Sequence, residues 1–90
     1  MFTREFVVGE DGLHSAVATA LRRIANQVGE PVFVSRLSGE AVPVTSQLRV
    51  IGLGIRPFET VILIVNSPDA SVADSVFKQA SEAFALQSPR

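Results

Sequence analysis

Two stretches of the chain repeat their apolar residues at steps of three and four, and short β-branched runs flank both. Val17, Ala20, Leu21, Ile24 and Val28 fall on one face of a helix over 15–28, with Ser15, Thr19, Arg22, Arg23 and Asn26 opposite. Val72, Ala73, Val76, Phe77, Ala80 and Phe84 form a second stripe, on a helix expected to run to about Gln87 before a frayed "SPR" tail. Each stripe needs one apolar wall. A single sheet supplies both walls when the helices share one of its faces.

The runs between the stripes supply that sheet. "FTREFVV" (2–8) alternates, with Phe2, Phe6 and Val8 on one side. "PVFVSRL" (31–37) and "EAVPVT" (40–45) read as strands joined by a tight turn at "SG" (38–39). Pro43 has no N–H for a ladder, so its strand belongs at an edge or is interrupted there. "ETVILIV" (59–65) is the most apolar strand and is expected at the centre. Gly29 ends the first helix. "SQLRVIG" (46–52) reads as a short helix with Ser46 as its N-cap, and "SPD" (67–69) as the start of the last, with Ser67 before a first-turn proline. The class is therefore α+β: an open-faced β-sandwich, a four-stranded antiparallel sheet with helices on one face, in the order β-α-β-β-α-β-α. At 90 residues the chain is expected to be one domain over 1–90.

Composition narrows the function. Hydrophobic residues make up 47% of the chain, enough for a core. A net charge near −1, with no Trp and no Tyr, argues against a nucleic-acid surface, which needs a basic stripe or stacking rings. No Cys and a single His make a metal site an unexpected feature, and neither a metal nor a cofactor is expected. The absence of cysteine fits a reducing cytoplasm. "MFTREFVVGE" does not read as a signal peptide, and "VILIV" (61–65) is too short to span a bilayer. The expectation is a cytoplasmic chain with no membrane insertion.

The one histidine, His14, follows the glycine loop "GEDG" and heads the first helix. An imidazole is a nucleophile available near neutral pH. The first amides of a helix lack helical partners, and the helix dipole favours an anion there. With His14 at the cap, the amides of Ser15, Ala16 and Val17 point at an anion beside the ring. The bland alternative is a cap residue that happens to be histidine.

"GLHSAVA" (12–18) resembles the active-site segment of the histidine-containing phosphocarrier proteins of the bacterial sugar phosphotransferase system, whose pattern is Gly-Leu-His-any-Arg-Pro-Ala. Gly12, Leu13, His14 and Ala18 match; Ala16 stands at the Arg position and Val17 at the Pro position. "SQLRVIGLGI" (46–55) resembles the family's second signature, a serine opening a short helix that ends in Leu-Gly-Leu/Ile. Phe58 stands where relatives usually have Gly. The resemblance covers nearly the whole chain, and the order of elements is the family's.

That resemblance implies a phosphocarrier: His14 takes a phosphoryl group from enzyme I of a phosphoenolpyruvate-dependent system and relays it to a sugar-specific or regulatory acceptor protein. It implies docking through Leu48, Arg49 and Ile51 with the head of the first helix, and it makes Ser46 a candidate regulatory site for a serine kinase. Leu48 or Ile51 is alternatively expected to plug the core, and Gln47 is a polar intruder on that face. A relay that shows one face to several partners suits a monomer. The lost arginine is one charge-assisted donor, worth about 1.5–3 kcal/mol. Arg22 is expected to point away from the site, leaving Arg49 and Arg56 as stand-ins from other elements. Ala16 and Val17 also motivate a rival reading, a degenerate carrier-like domain that binds and regulates a partner without phosphorelay. A small-ligand regulatory domain ranks third, since no polar constellation supports a pocket.

Overall fold

The computed structural model describes residues 1–85. The expected extension of the last helix to Gln87 and the "SPR" tail lie outside the described residues. The elements are β1 (Phe2–Val7), α1 (Ser15–Val28), β2 (Val32–Arg36), β3 (Val42–Pro43), α2 (Gln47–Gly52), β4 (Thr60–Val65) and α3 (Ala70–Ala85), in the expected order. The strands form one four-stranded sheet in the order β1-β4-β2-β3, and every pairing is antiparallel.

The most apolar strand lies inside the sheet. β4 pairs with β1 through Phe6↔Val61 and with β2 through Val34↔Leu63. Val61, Leu63 and Val65 are buried on the helical face, whereas Ile62 and Ile64 are half-buried on the other. β3 is the edge strand, as Pro43 requires, and it is shorter than expected. Val42 and Pro43 pair with β2, and the Val44 amide adds a bond to Val32 O at 3.0 Å, so residues 37–41 make a longer connection than a two-residue "SG" turn.

One core cluster joins the sheet to the helices. From α1 come Val17, Ala18, Leu21, Ile24 and Ala25; Ala20 and Val28 are only half-buried. α3 contributes Ala73, Val76, Phe77, Ala80 and Phe84, while Val72 is half-buried. Phe6 of β1 stacks against Phe77 and Phe84, with ring centroids 6.2 and 5.3 Å away.

The caps explain where the helices begin and end. Gly29 takes a left-handed conformation (φ 73°) that a side chain would disfavour, and its N–H reaches Ala25 O at 3.0 Å. α3 corrects one expectation: it begins at Ala70, so Pro68 lies before its first turn, and Asp69 is its cap. Asp69 Oδ1 accepts from the Ser71 amide at 2.9 Å, and Asp69 O accepts the Ala73 amide at 3.2 Å. Ser67 is buried and its Oγ accepts from the Asp69 amide at 3.1 Å, so it shapes the approach to the helix. Ser46 is the N-cap of α2, as expected, and its carbonyl accepts the Val50 amide at 3.0 Å, but its side chain makes no cap bond.

Candidate functional site at the head of the first helix

His14 is the N-cap of α1. Its backbone is extended (φ −98°, ψ −176°), and Nδ1 accepts a hydrogen bond from the Ala16 amide at 3.2 Å. The first helical bond runs from the Ala18 amide to His14 O, at 3.0 Å. The amides of Ser15, Ala16 and Val17 therefore have no helical partner, and no acidic side chain sits in the first turn to compete for them. The ring is half-buried; Ser15 and Ala16 are exposed and Val17 is in the core at 3% exposure. The valine at the proline position is thus part of the helix stripe.

The loop before the ring is held by a second turn. Gly12 is left-handed (φ 70°), and a Cβ there would lie 2.7 Å from Ile55 O. The Leu13 amide donates to that same oxygen at 3.4 Å, and the Phe58 amide donates to Gly9 O at 3.3 Å. Phe58 has φ 62°, in the left-handed region that favours glycine, and it is 66% exposed.

Two of the arginines weighed from the sequence have partners of their own. Arg22 Nη1 donates to Gln47 Oε1 at 3.1 Å, and Gln47 Nε2 donates to Thr19 Oγ1 at 2.8 Å. Gln47 is therefore a cross-link between α1 and α2, not merely an intruder. Arg49 Nη2 lies 4.0 Å from Glu40 Oε2. Residues 55–57 reach the His14 loop through their backbone. Sequence reasoning missed Arg23. It lines, with His14, Ala16 and Ala20, a groove of about 310 Å³ between α1 and α3. The spacing 16, 20, 23 along one helical face was the available signal. Arg23 stands nine positions beyond the cap, about 13.5 Å of helical rise.

α2 presents the expected docking residues and corrects their alternative. Leu48 is 85% exposed and Ile51 42%; neither plugs the core, because Val50 at 1% does. Arg49 is exposed beside them and Ser46 is half-buried at the cap. Among the described residues no cluster of His, Asp and Glu can hold a metal, and no helix is long and apolar enough to cross a membrane.

Comparison with known proteins bears on the family and the fold. A family model described as PTS HPr component phosphorylation site matches residues 3–83. The phosphocarrier protein HPr of Haloferax volcanii is 38% identical over 68 residues, covering 74% of this chain and 76% of that protein. Among solved structures, a Mycoplasma histidine-containing phosphocarrier protein superposes with a TM-score of 0.76 at 17% identity, over 92% of this chain and 97% of that one. HPr from Thermoanaerobacter tengcongensis gives 0.76 at 16% identity, over 94% and 97%. HPr from Bacillus anthracis gives 0.74 at 17% identity, over 92% and 95%. These structures carry the fold; the Haloferax sequence and the family match carry the kinship.

Proposed function

The chain belongs to the HPr family of phosphocarrier proteins, and from that premise we propose that it accepts a phosphoryl group on His14 and relays it to a partner protein in a phosphoenolpyruvate-dependent phosphotransferase system. The observation that supports this reading best is the Nδ1–Ala16 contact at the cap. It aims the Nδ1 lone pair at the head of α1 and leaves the ring hydrogen on Nε2. Attack through Nδ1 forms the P–N bond as the bond to the donor breaks. The phosphoryl oxygens then take over the Ala16 amide, with those of Ser15 and Val17 beside it. Phosphoryl transfer depends mainly on position and charge, and unpartnered helix amides supply both. The step needs no metal or cofactor from this chain.

The partners follow from the family: enzyme I as donor and a sugar-specific or regulatory protein as acceptor. Leu48, Arg49 and Ile51 offer an exposed apolar patch with a basic member, suited to a transient contact. Ser46, whose Oγ is not engaged in capping, is the candidate for a serine kinase. The working unit is one monomeric domain in the cytoplasm.

Ala16 favours a second reading, a partner-binding regulator that has lost phosphotransfer. Incubation with phosphoenolpyruvate and enzyme I, followed by mass spectrometry, separates the two. One acid-labile phosphate on the wild type and none on His14→Ala is the expected result. A folded wild type that stays unlabelled beside an active enzyme moves the assignment to the regulator.

A further inference from the structure

Resting on the carrier reading, we propose that Arg36 and Glu59 are positioning residues for His14, acting through the turn that they clamp. Arg36 ends β2. Its Nε donates to Glu59 Oε2 at 2.6 Å, and its Nη2 donates to Glu59 Oε1 at 3.2 Å and to Gly54 O at 2.9 Å. Glu59 Oε1 also accepts from the Arg56 amide at 2.9 Å. One guanidinium and one carboxylate thus fasten residues 54, 56 and 59 to the sheet. The planar fork gives this bond direction as well as strength.

The turn needs such a fastening. It contains Gly54 at φ 64° and Phe58 at φ 62°, and a bulky aromatic residue disfavours that conformation. Its inner edge carries the loop that leads to the ring. Val8 N–H donates to Glu59 O at 3.0 Å, Phe58 N–H to Gly9 O at 3.3 Å, and Leu13 N–H to Ile55 O at 3.4 Å. Gly12 meets Ile55 O so closely that a Cβ would be 2.7 Å from it. The place of Ile55 O therefore fixes Leu13, and Leu13 precedes the cap. Neither Arg36 nor Glu59 touches the ring; their effect reaches it through this backbone chain.

The test uses the full chain with Glu59→Gln and Arg36→Met, and Arg36→Lys as the conservative variant. Phosphoryl uptake from phosphoenolpyruvate through enzyme I is resolved into kcat and KM. Amide signals of Leu13 and Ala16 and ring signals of His14 are recorded by NMR on the unphosphorylated protein, well below its melting temperature. The expected result is a three- to ten-fold fall in kcat with KM within two-fold, displaced Leu13 and Ala16 signals, and partial recovery with lysine. Wild-type signals and wild-type kcat in both disrupting variants overturn the proposal. A wild type that takes no phosphate sinks the carrier reading instead, and the NMR signals then decide the clamp by themselves.

Discussion

At the residue scale, position 16 separates a carrier from a relic. Its side chain is a methyl group, exposed beside the ring and open to the α1–α3 groove, so an arginine has room there. Restoring it returns one charge-assisted bond, about 1.5–3 kcal/mol, which is roughly 10- to 100-fold in rate. Ala16→Arg is therefore expected to speed phosphoryl uptake by about that factor in stopped-flow or quench assays. An unchanged rate would mean that charge at this position is not what limits transfer. Position 58 is the other informative single residue. A left-handed bulky residue costs about 1–2 kcal/mol, and asparagine tolerates that region. Phe58→Asn should raise the urea midpoint by the equivalent of about 1 kcal/mol; a fall would show that the ring's partial burial outweighs the strain. His14's place at a cap was legible because a glycine loop meets a helical stripe there. The strain at Phe58 was not: Phe58 is the third residue of the four-residue turn Arg56–Glu59, closed by the Glu59 amide on Arg56 O at 3.1 Å after Pro57, and a phenylalanine there hides the positive φ that a glycine would announce.

Length decided what could be read from each element. α1 and α3 run for 14 and 16 residues, so the three-and-four spacing picks out a face several times over. α2 has six residues, fewer than two turns, and its apolar residues at 48, 50 and 51 fit more than one face. Leu48 and Ile51 drew attention by size, yet the buried residue is Val50. Substitution sorts the two roles. Val50→Ala opens the core and is expected to cost about 2 kcal/mol. Leu48→Ala, at an 85% exposed site, should change stability by less than about 0.5 kcal/mol while raising KM for enzyme I. Loss of stability in Leu48→Ala with unchanged KM would remove this residue from the docking face. The caps follow the same logic. Gly29 announces itself because glycine suits its left-handed φ without strain, whereas serine stands at the approach to two helices and its hydroxyl bonds the first-turn amides of neither. Asp69, the last residue of "SPD", heads α3 because its carboxylate engages the amide and hydroxyl of Ser71 together.

The whole molecule joins parts that no local pattern connects. The sheet order was accessible through β4's apolarity and Pro43's missing donor, two facts about single strands. The junction of β2 with the turn before β4 was not: Arg36 and Glu59 lie 23 residues apart and look like ordinary surface charges in sequence. That junction should make the protein sensitive to acid. The hydrogen bond from Arg36 holds the Glu59 carboxyl below the usual carboxylate range, and the Arg56 amide adds to it. Asp69 is lowered likewise, first by the Ser71 hydroxyl and then by the Ser71 amide. A carboxyl lowered in the folded state binds its proton more readily when the chain is unfolded. Its stabilising contribution is therefore complete above the unfolded value of about 4 and is lost as pH falls through the folded one. The melting temperature should decline between about pH 5 and pH 2. Glu59→Gln should flatten that decline, because a neutral amide has no proton to gain. Asp69→Asn should flatten it independently, since that carboxyl caps α3 and bonds to Ser71, not to the clamp. The two junctions differ in what acid does to the site. Protonating Glu59 loosens the turn that carries Ile55 O, so the Leu13 and Ala16 amide signals should shift over the same pH interval in the wild type and in Asp69→Asn, but not in Glu59→Gln. Parallel stability profiles for wild type and Glu59→Gln would show that the pair is a surface contact with no part in holding the fold.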